Sequence, residues 1–360
     1  MMKIAYFVNS FNAINWGGQA TSNGIKYMLN REYPDAEFIP LDVPKLPFNK
    51  IKILRSYYEW KLQNAILKDD KDTATKMLKK MNIKENFFDN FTHVCFNGEG
   101  AIHTKSGHLI RLMGMLYLAK MKGKIIASIN QSIDLSNNHS LEALVSKVYN
   151  LCDFVSAREP ISFEYAKSIG IQKIQLIPDA AYGVPKLSEE EIETRVEKYN
   201  LPKNFISITG SSFLKKDKKS ILRVARIIDI LKDILDEPIV FLANAKTDIW
   251  IAHKLQNKYN YQIIEPPVKY QDAMAIISKS KLVVGGRQHP NIFAYEYHVP
   301  YVPFGANTIK NLGVGKLQKY PMNPLGWDSP KEQIKDAVKT ILNSKIEFGN
   351  VVINNFKIFG

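Results

Sequence analysis

Cysteine is scarce. Two residues in a chain of 360 cannot build a disulfide framework. Cys95 sits in the apolar run Thr92-His93-Val94-Cys95-Phe96 and Cys152 in Leu151-Cys152-Asp153-Phe154, so both read as small buried side chains without metal-ligand or redox spacing. A reducing compartment is the default. Long apolar runs are missing too. No segment reaches the roughly 18 uninterrupted apolar residues of a transmembrane helix. The run that starts at Met1 is too short for a signal-peptide core and passes at once into Asn9 and Ser10. The expected location is cytoplasmic, with any membrane association peripheral. There is no HExxH spacing among the histidines, no Walker loop and no serine nucleophile elbow. A Gly loop does follow the first strand, Asn15-Trp16-Gly17-Gly18-Gln19-Ala20, but it lacks the GxGxxG order of a dinucleotide site. No metal and no cofactor are therefore expected. Acidic residues are also in short supply: 35 against 49 basic ones leave a net charge of +14. That excess suits anionic partners, although a lysine-rich background produces the same surface without any binding role. No nucleic-acid partner is expected.

What is present is a repeating strand–loop–helix order. Ile4–Val8, a helix capped by Thr21 or Ser22, and Ala36–Leu41 form a βαβ unit. Residues 50–90 interrupt the pattern with Ile51, Leu54, Tyr58, Leu62 and Ile66 at helical spacing, then Met77, Leu78 and Met81, with lysines between. Two basic amphipathic helices inserted into the first domain are predicted, either packed on its core or offered to an anionic membrane. The order then resumes through strands ending in Asn97-Gly98-Glu99-Gly100, Asn130-Gln131-Ser132, Arg158-Glu159 and Pro178-Asp179. The charged stretch Leu187–Pro202 marks a boundary. A first domain over 1–186 and a second over 203–360 follow, each a Rossmann-like α/β layer structure, the two facing across a cleft in a GT-B-like arrangement. The first is expected on the acceptor side and the second on the donor side.

Polar and glycine residues at strand carboxyl ends mark a ligand crevice in parallel sheets. The densest such cluster is Val284-Gly285-Gly286-Arg287-Gln288-His289-Pro290. Glycines admit a ligand close to the backbone, Arg287 offers a forked donor for carboxylate or phosphate, and His289 can give a proton near neutral pH. A helix starts just beyond, and its free N–H groups favour an anion. His289 as a simple cap and Arg287 as a surface ion pair are the plainer alternatives. Arg158 stands at a strand end in the first domain, either for an anion or for a salt bridge. Gly210-Ser211-Ser212 offers hydroxyls to an anion or to a helix start. Glu99 could act as base for a sugar hydroxyl. An anion clamp beside a proton donor favours an enzyme over a pure binding module.

In order and spacing these pieces resemble the polysaccharide pyruvyl transferase family: Asn15-Trp16-Gly17-Gly18-Gln19-Ala20, Asn97-Gly98-Glu99-Gly100, Arg158-Glu159 with Ser162, Pro178-Asp179-Ala180 and Gly285-Gly286-Arg287-Gln288-His289, over roughly residues 4–306. Two departures stand out: Gly18 where the family's first loop commonly has Asp, and Gln288 where an apolar residue is usual. The resemblance implies a GT-B-like fold and transfer of a pyruvyl group from phosphoenolpyruvate to sugar hydroxyls of a cell-surface glycan or its lipid-linked precursor. Carried over, Arg158 and Arg287 would hold the donor with Gly286, Gly210, Ser211 and Ser212. His289 would be the general acid, Glu99 would join it in catalysis, and Asn15, Trp16, Gln19 and Asn97 would meet the acceptor. His289-Pro290 is similar to the His-Pro pair of bacterial sialyltransferases, which leaves a glycosyltransferase using a CMP-sugar as the alternative.

Overall fold

A computed structural model describes residues 1–47, 51–104, 106–353 and 356–360. It contains two parallel sheets. Chain order in the first part is β1 (Lys3–Phe7), α1 (Trp16–Glu32), β2 (Glu37–Leu41), α2 (Lys52–Leu67), α3 (Lys71–Lys80), β3 (His93–His103), α4 (Leu109–Met121), β4 (Ile125–Asp134), α5 (His139–Leu151), β5 (Phe154–Ala157), α6 (Pro160–Ser168) and β6 (Ile174–Leu176). A 3-10 turn over Ala180–Gly183 and α7 (Glu189–Glu197) follow. Then come β7 (Ile206–Ser211), α8 (Lys218–Lys232), β8 (Ile239–Leu242), α9 (Lys246–Tyr259), β9 (Gln262–Ile264), α10 (Tyr270–Ser278), β10 (Leu282–Gly286), α11 (Gln288–Glu296), β11 (Tyr301–Pro303), α12 (Lys310–Leu317) and α13 (Lys331–Asn343).

The first sheet has the order β2-β1-β3-β4-β5-β6 and the second β11-β10-β7-β8-β9, every pairing parallel. Strands buried on both faces read as continuous apolar runs, as in Val94-Cys95-Phe96 and Leu282-Val283-Val284. Edge strand β2 can carry Pro40, since one side of it needs no ladder donor. In each sheet the chain winds one way and then returns to the other side of its starting strand. The reversal falls between β1 and β3 in the first sheet and between β7 and β10 in the second. Ligand crevices form at such points, outside the strand carboxyl ends.

The inserted helices pack on the first unit. Leu62, Ala65 and Ile66 of α2 and Ala74, Met77 and Leu78 of α3 are buried in its core. Gly114 of α4 lets them close in, because a Cβ there would stand 2.8 Å from Leu62 and 2.9 Å from Leu78. Position 50, where this insertion was expected to begin, lies outside the described residues.

The chain divides into two compact units, but not by one cut. One unit holds Met1–Asn9, Lys26–Asp179 and Ile353–Gly360; the other holds Ser10–Ile25 and Ala180–Val352. The boundaries 1–186 and 203–360 therefore need two corrections. The tail belongs with the first unit because Phe356, Ile358 and Phe359 are buried, and Tyr33 Oη donates to the Phe359 carbonyl at 2.7 Å. The first loop belongs with the second unit for reasons given below. Helix α1 also starts earlier than expected. Asn15 caps it, its Oδ1 accepting from Gly17 N at 3.0 Å and Gly18 N at 3.3 Å, while Thr21 and Ser22 are buried inside it.

Candidate active site

The second unit builds its site at the β7/β10 reversal. Strand β10 lies between β11 and β7 and ends in Gly285 and Gly286. Gly285 has φ 156°, and a Cβ there would fall 2.2 Å from Thr209 Oγ1. Gly286 touches Ser211 and the Gly305 carbonyl in the same way. Two side chains at this strand end would force β7 and β10 apart. The backbone thus delivers Arg287 as the residue capping α11, and His289 in the first turn of that helix.

Arg287 forms a forked pair with Asp248, Nε to Oδ2 at 3.0 Å and Nη2 to Oδ1 at 2.7 Å. Asp248 is wholly buried in the first turn of α9, where the helix end favours negative charge, and its Oδ2 also accepts from Asn244 N at 3.1 Å. Gly210 is a glycine for this reason: a Cβ would lie 2.0 Å from Asp248 Oδ1. Gly210, expected at the donor, makes room for this acid. Ser211 is buried, donating to the Gly305 carbonyl at 2.8 Å and accepting from Phe213 N at 3.1 Å. Ser212 donates to Asn307 Oδ1 at 2.7 Å. Both hydroxyls therefore order the turn between β7 and α8.

His289 is 8% exposed, and its Nε2 lies 3.1 Å from Thr21 Oγ1. Gly17 packs on the ring so closely that a Cβ would stand 2.2 Å from Nδ1. The loop and first turns of α1 are thus one wall of the histidine. Gln19 ties that wall down, donating to the Ala13 carbonyl at 2.7 Å and accepting from Tyr270 N at 3.3 Å. Trp16 is buried and stacks on Phe293 of α11, ring centroids 5.7 Å apart. Asn15, Trp16 and Gln19 were expected to meet an acceptor; here they cap, anchor and tie the wall that holds His289. Sequence reading places Thr21 only as a helix cap and does not single out Asp248. A threonine and an aspartate inside amphipathic helices carry no local signal of a partner far along the chain. Asn291 was missed as well. It is buried one turn into α11, and neither side-chain atom has a hydrogen-bond partner among the described residues; the same holds for Thr209 Oγ1 and Asn244 Oδ1. Unsatisfied polar atoms at a strand-end crevice mark where a polar ligand can be received.

In the first unit, Arg158 follows β5 and is 2% exposed. Its Nη1 donates to Asp179 Oδ2 at 2.7 Å and its Nε to Ser132 Oγ at 2.9 Å. The salt-bridge alternative describes this geometry. Glu159 caps α6, Oε2 accepting from Ile161 N and Ser162 N, and Ser162 Oγ donates to its other oxygen. Asn97-Gly98-Glu99-Gly100 was expected as a turn after a strand. Instead it runs inside β3, whose register shifts between Glu99 and Ile102. Asn97 is buried, donating to Tyr6 Oη at 3.0 Å and Glu99 Oε1 at 3.1 Å, and accepting from Asn130 Nδ2 at 3.0 Å. Asn97 therefore holds Glu99 from inside the sheet. Val8, just after β1, Glu99, within β3, and Asn130, within β4, have φ of 59°, 36° and 60°. Left-handed backbone is costly for such residues and gathers at functional positions.

No group of three or more His, Cys, Asp or Glu among the described residues is placed to hold a metal ion. No described helix is long and apolar enough to cross a membrane.

Solved structures similar to this chain are UDP-GlcNAc 2-epimerases. That of Methanocaldococcus jannaschii, in complex with UDP-GlcNAc and UDP, has a TM-score of 0.62 at 16% identity, covering 99% of this chain and 96% of its own. The S. aureus MnaA–UDP structure has a TM-score of 0.59 at 14% identity, covering 96% and 89%. The Neisseria meningitidis enzyme bound to UDP-GlcNAc has a TM-score of 0.57 at 12% identity, covering 100% and 96%. At these identities the likeness is one of fold, the GT-B-type α/β architecture. Among curated proteins none matches. The model of the polysaccharide pyruvyl transferase family matches residues 15–307, from the cap of α1 to the loop beyond β11, and the chain belongs to that family.

Proposed function

We propose that this transferase moves a pyruvyl group from phosphoenolpyruvate to two hydroxyls of a sugar in a cell-surface glycan or its lipid-linked precursor, with His289 as the proton donor. The observation that carries the reading is His289 itself, held by Thr21 at 3.1 Å, walled by Gly17 and set in the first turn of α11 beside Arg287. In this reading His289 protonates the methylene carbon of the donor, which becomes a methyl group and leaves positive charge on the adjacent carbon. One sugar hydroxyl bonds to that carbon and loses its proton to Glu99. Phosphate then departs with the electrons of its C–O bond and takes the proton that Glu99 holds. The second hydroxyl adds, returns a proton to His289 and closes the ketal. Preorganised charge at such a centre is where most rate enhancement arises.

Arg287 and the start of α11 would hold one anionic group of the donor. Arg158 is proposed as a further donor contact, and Gly286, Ser211 and Ser212 as the backbone and turn that shape the donor site. Asp248 sets the direction of the Arg287 fork, so the guanidinium is oriented before any ligand arrives. Release of inorganic phosphate from phosphoenolpyruvate, dependent on a glycan acceptor and lost in His289→Ala, is the test. Retention of full turnover in that variant removes His289 from the role of acid.

A nucleotide-activated sugar is the second reading for the donor. It is favoured by the fold neighbours, solved with UDP or UDP-GlcNAc, and by Pro290 directly after His289, which fits a CMP-sugar. Protection of the chain against thermal unfolding by CMP- or UDP-sugars, with none by phosphoenolpyruvate, would select it. We place the protein in the cytoplasm. Helix α2 supports peripheral membrane contact, since it exposes Ile53 (86%), Tyr57 (46%) and Trp60 (61%) about one turn apart with Lys52 and Lys61 beside them.

A further inference from the structure

The first unit has its own crevice at the reversal between β1 and β3, and the transfer chemistry above does not use it. A cavity of about 550 Å³ opens there. Val8 after β1, Val43 and Leu46 after β2 and Leu112 of α4 give it apolar walls. Arg111, in the first turn of α4, lines it as well. That volume is in the range of small-molecule sites.

Arg111 is the anomaly. It is 4% exposed, yet its Nε and Nη2 have no hydrogen-bond partner among the described residues. The acid whose charge reaches it is Glu59, but Arg55 Nε holds that carboxylate at 2.9 Å. Arg55 also donates to the Gly107 carbonyl, so it is fixed at the rim of the same loop. Lys45 and His108 line the cavity too, and no acid stands in the first turn of α4. Burial and the charges of Arg111 and Arg55 push the His108 pKa down. The local balance is therefore positive, with a buried guanidinium that has no counter-ion of its own among the described residues. A buried charge in that state is costly unless a ligand completes it.

We propose that this cavity binds an organic anion, its phosphate or carboxylate on Arg111 and an apolar chain along Val8, Val43, Leu46 and Leu112. The site is independent of the donor and of His289. Its ligand is recognised by two features together, a terminal anion and a hydrocarbon body. Neither a free sugar phosphate nor a neutral amphiphile has both.

Calorimetric titration of the full chain with octyl phosphate and with octanoate, below their micellar concentrations, tests this without turnover. At least one should bind, more tightly than inorganic phosphate by roughly fourfold for each methylene buried. Glucose 1-phosphate and octyl glucoside should bind weakly or not at all. Arg111→Met should weaken binding by about 10- to 100-fold, the loss of charge-assisted hydrogen bonds. It should also raise the unfolding temperature of the ligand-free chain, because an unpartnered buried charge is removed. Leu46→Asn, at a half-buried wall position, should weaken octyl phosphate while leaving inorganic phosphate unchanged. The proposal is overturned if neither octyl anion binds, or if octyl glucoside or glucose 1-phosphate binds as tightly as they do. Equal affinity in wild type and both variants overturns it too, as does a fall in the unfolding temperature of Arg111→Met with its binding intact.

Discussion

Thr21 Oγ1 and His289 Nε2 lie 3.1 Å apart although 268 residues separate them in the chain. One hydroxyl from the first helix thus fixes the ring orientation of a histidine in the eleventh. Thr21→Val keeps the shape and deletes that bond. Turnover should fall by about 3- to 10-fold, the worth of one hydrogen bond, while donor affinity stays near wild type. Steady-state kinetics separate the two, and an unchanged kcat would remove Thr21 from the site. His289→Ala should cost roughly 10²–10⁴-fold in rate, the usual contribution of a general acid.

Gly17→Ala tests the same wall by addition. The new methyl would stand 2.2 Å from His289 Nδ1, so the ring or the helix must move. A displacement of this size at a proton donor costs roughly 100-fold in rate. The unfolding temperature should change much less than activity. A fully active Gly17→Ala chain would show that the histidine position is not critical.

Arg287 and Asp248 should behave as a pair. Arg287→Ala leaves a buried aspartate without its partner and should cost about 3–5 kcal/mol of stability. The double variant Arg287→Ala/Asp248→Ala should cost less than Arg287→Ala alone, because no orphan charge remains. Both should lose donor binding. Denaturant melts of the two single variants and the double variant close the cycle. The same comparison for Arg158 and Asp179, joined at 2.7 Å, separates the structural cost of that arginine from any effect on the donor.

Burial lowers the His93 pKa, with Asp153 opposing. His93 also meets the Phe359 ring edge-on, centroids 4.8 Å apart. A histidine held neutral in the folded state contributes its stability fully above its unfolded pKa of about 6.5. The contribution is lost as pH falls through the lower folded value. Stability should therefore decline on acidification from pH 7.5 to 5. His93→Gln should flatten that decline. An identical pH slope in the variant would assign the acid sensitivity to other groups.

Helix α2 should meet anionic vesicles through Tyr57 and Trp60. Sedimentation with vesicles containing phosphatidylserine should pull down the chain at low salt and release it as salt rises, as screening of Lys52 and Lys61 predicts. Trp60→Ser should weaken the binding. Binding that ignores ionic strength would exclude the electrostatic account.

The fold was legible where a pattern is local. Strand β1 and the inserted helices α2 and α3 lie where periodicity places them, because a continuous apolar run and a regular 3.6-residue spacing leave few alternatives. Strand β11 and helix α12 were not foreseen: three residues are too short to show alternation, and Lys310–Leu317 has its glycines inside the helix. The motif residues were legible as types but not as roles. Gly210 looked like a ligand turn, yet its missing side chain serves Asp248. Trp16 was expected at the acceptor, and its stacking on Phe293 was not legible. Such assignments depend on partners hundreds of residues away, which local spacing does not encode.

The interleaving of the two units has a consequence for the chain as it is made. Domains of a growing polypeptide commonly fold in turn, the N-terminal one first. Here the first unit incorporates Ile353–Gly360, and its Phe356, Ile358 and Phe359 are buried. The ribosome must therefore deliver the whole second unit before the first can bury its last aromatic side chains. Ser10–Ile25, synthesised well before α11, must in turn wait for that helix before Trp16 finds Phe293. Until then the nascent chain carries apolar surface that only residues translated after the second unit can cover, so holding chaperones have the longer opportunity to act on the unit whose translation starts earlier.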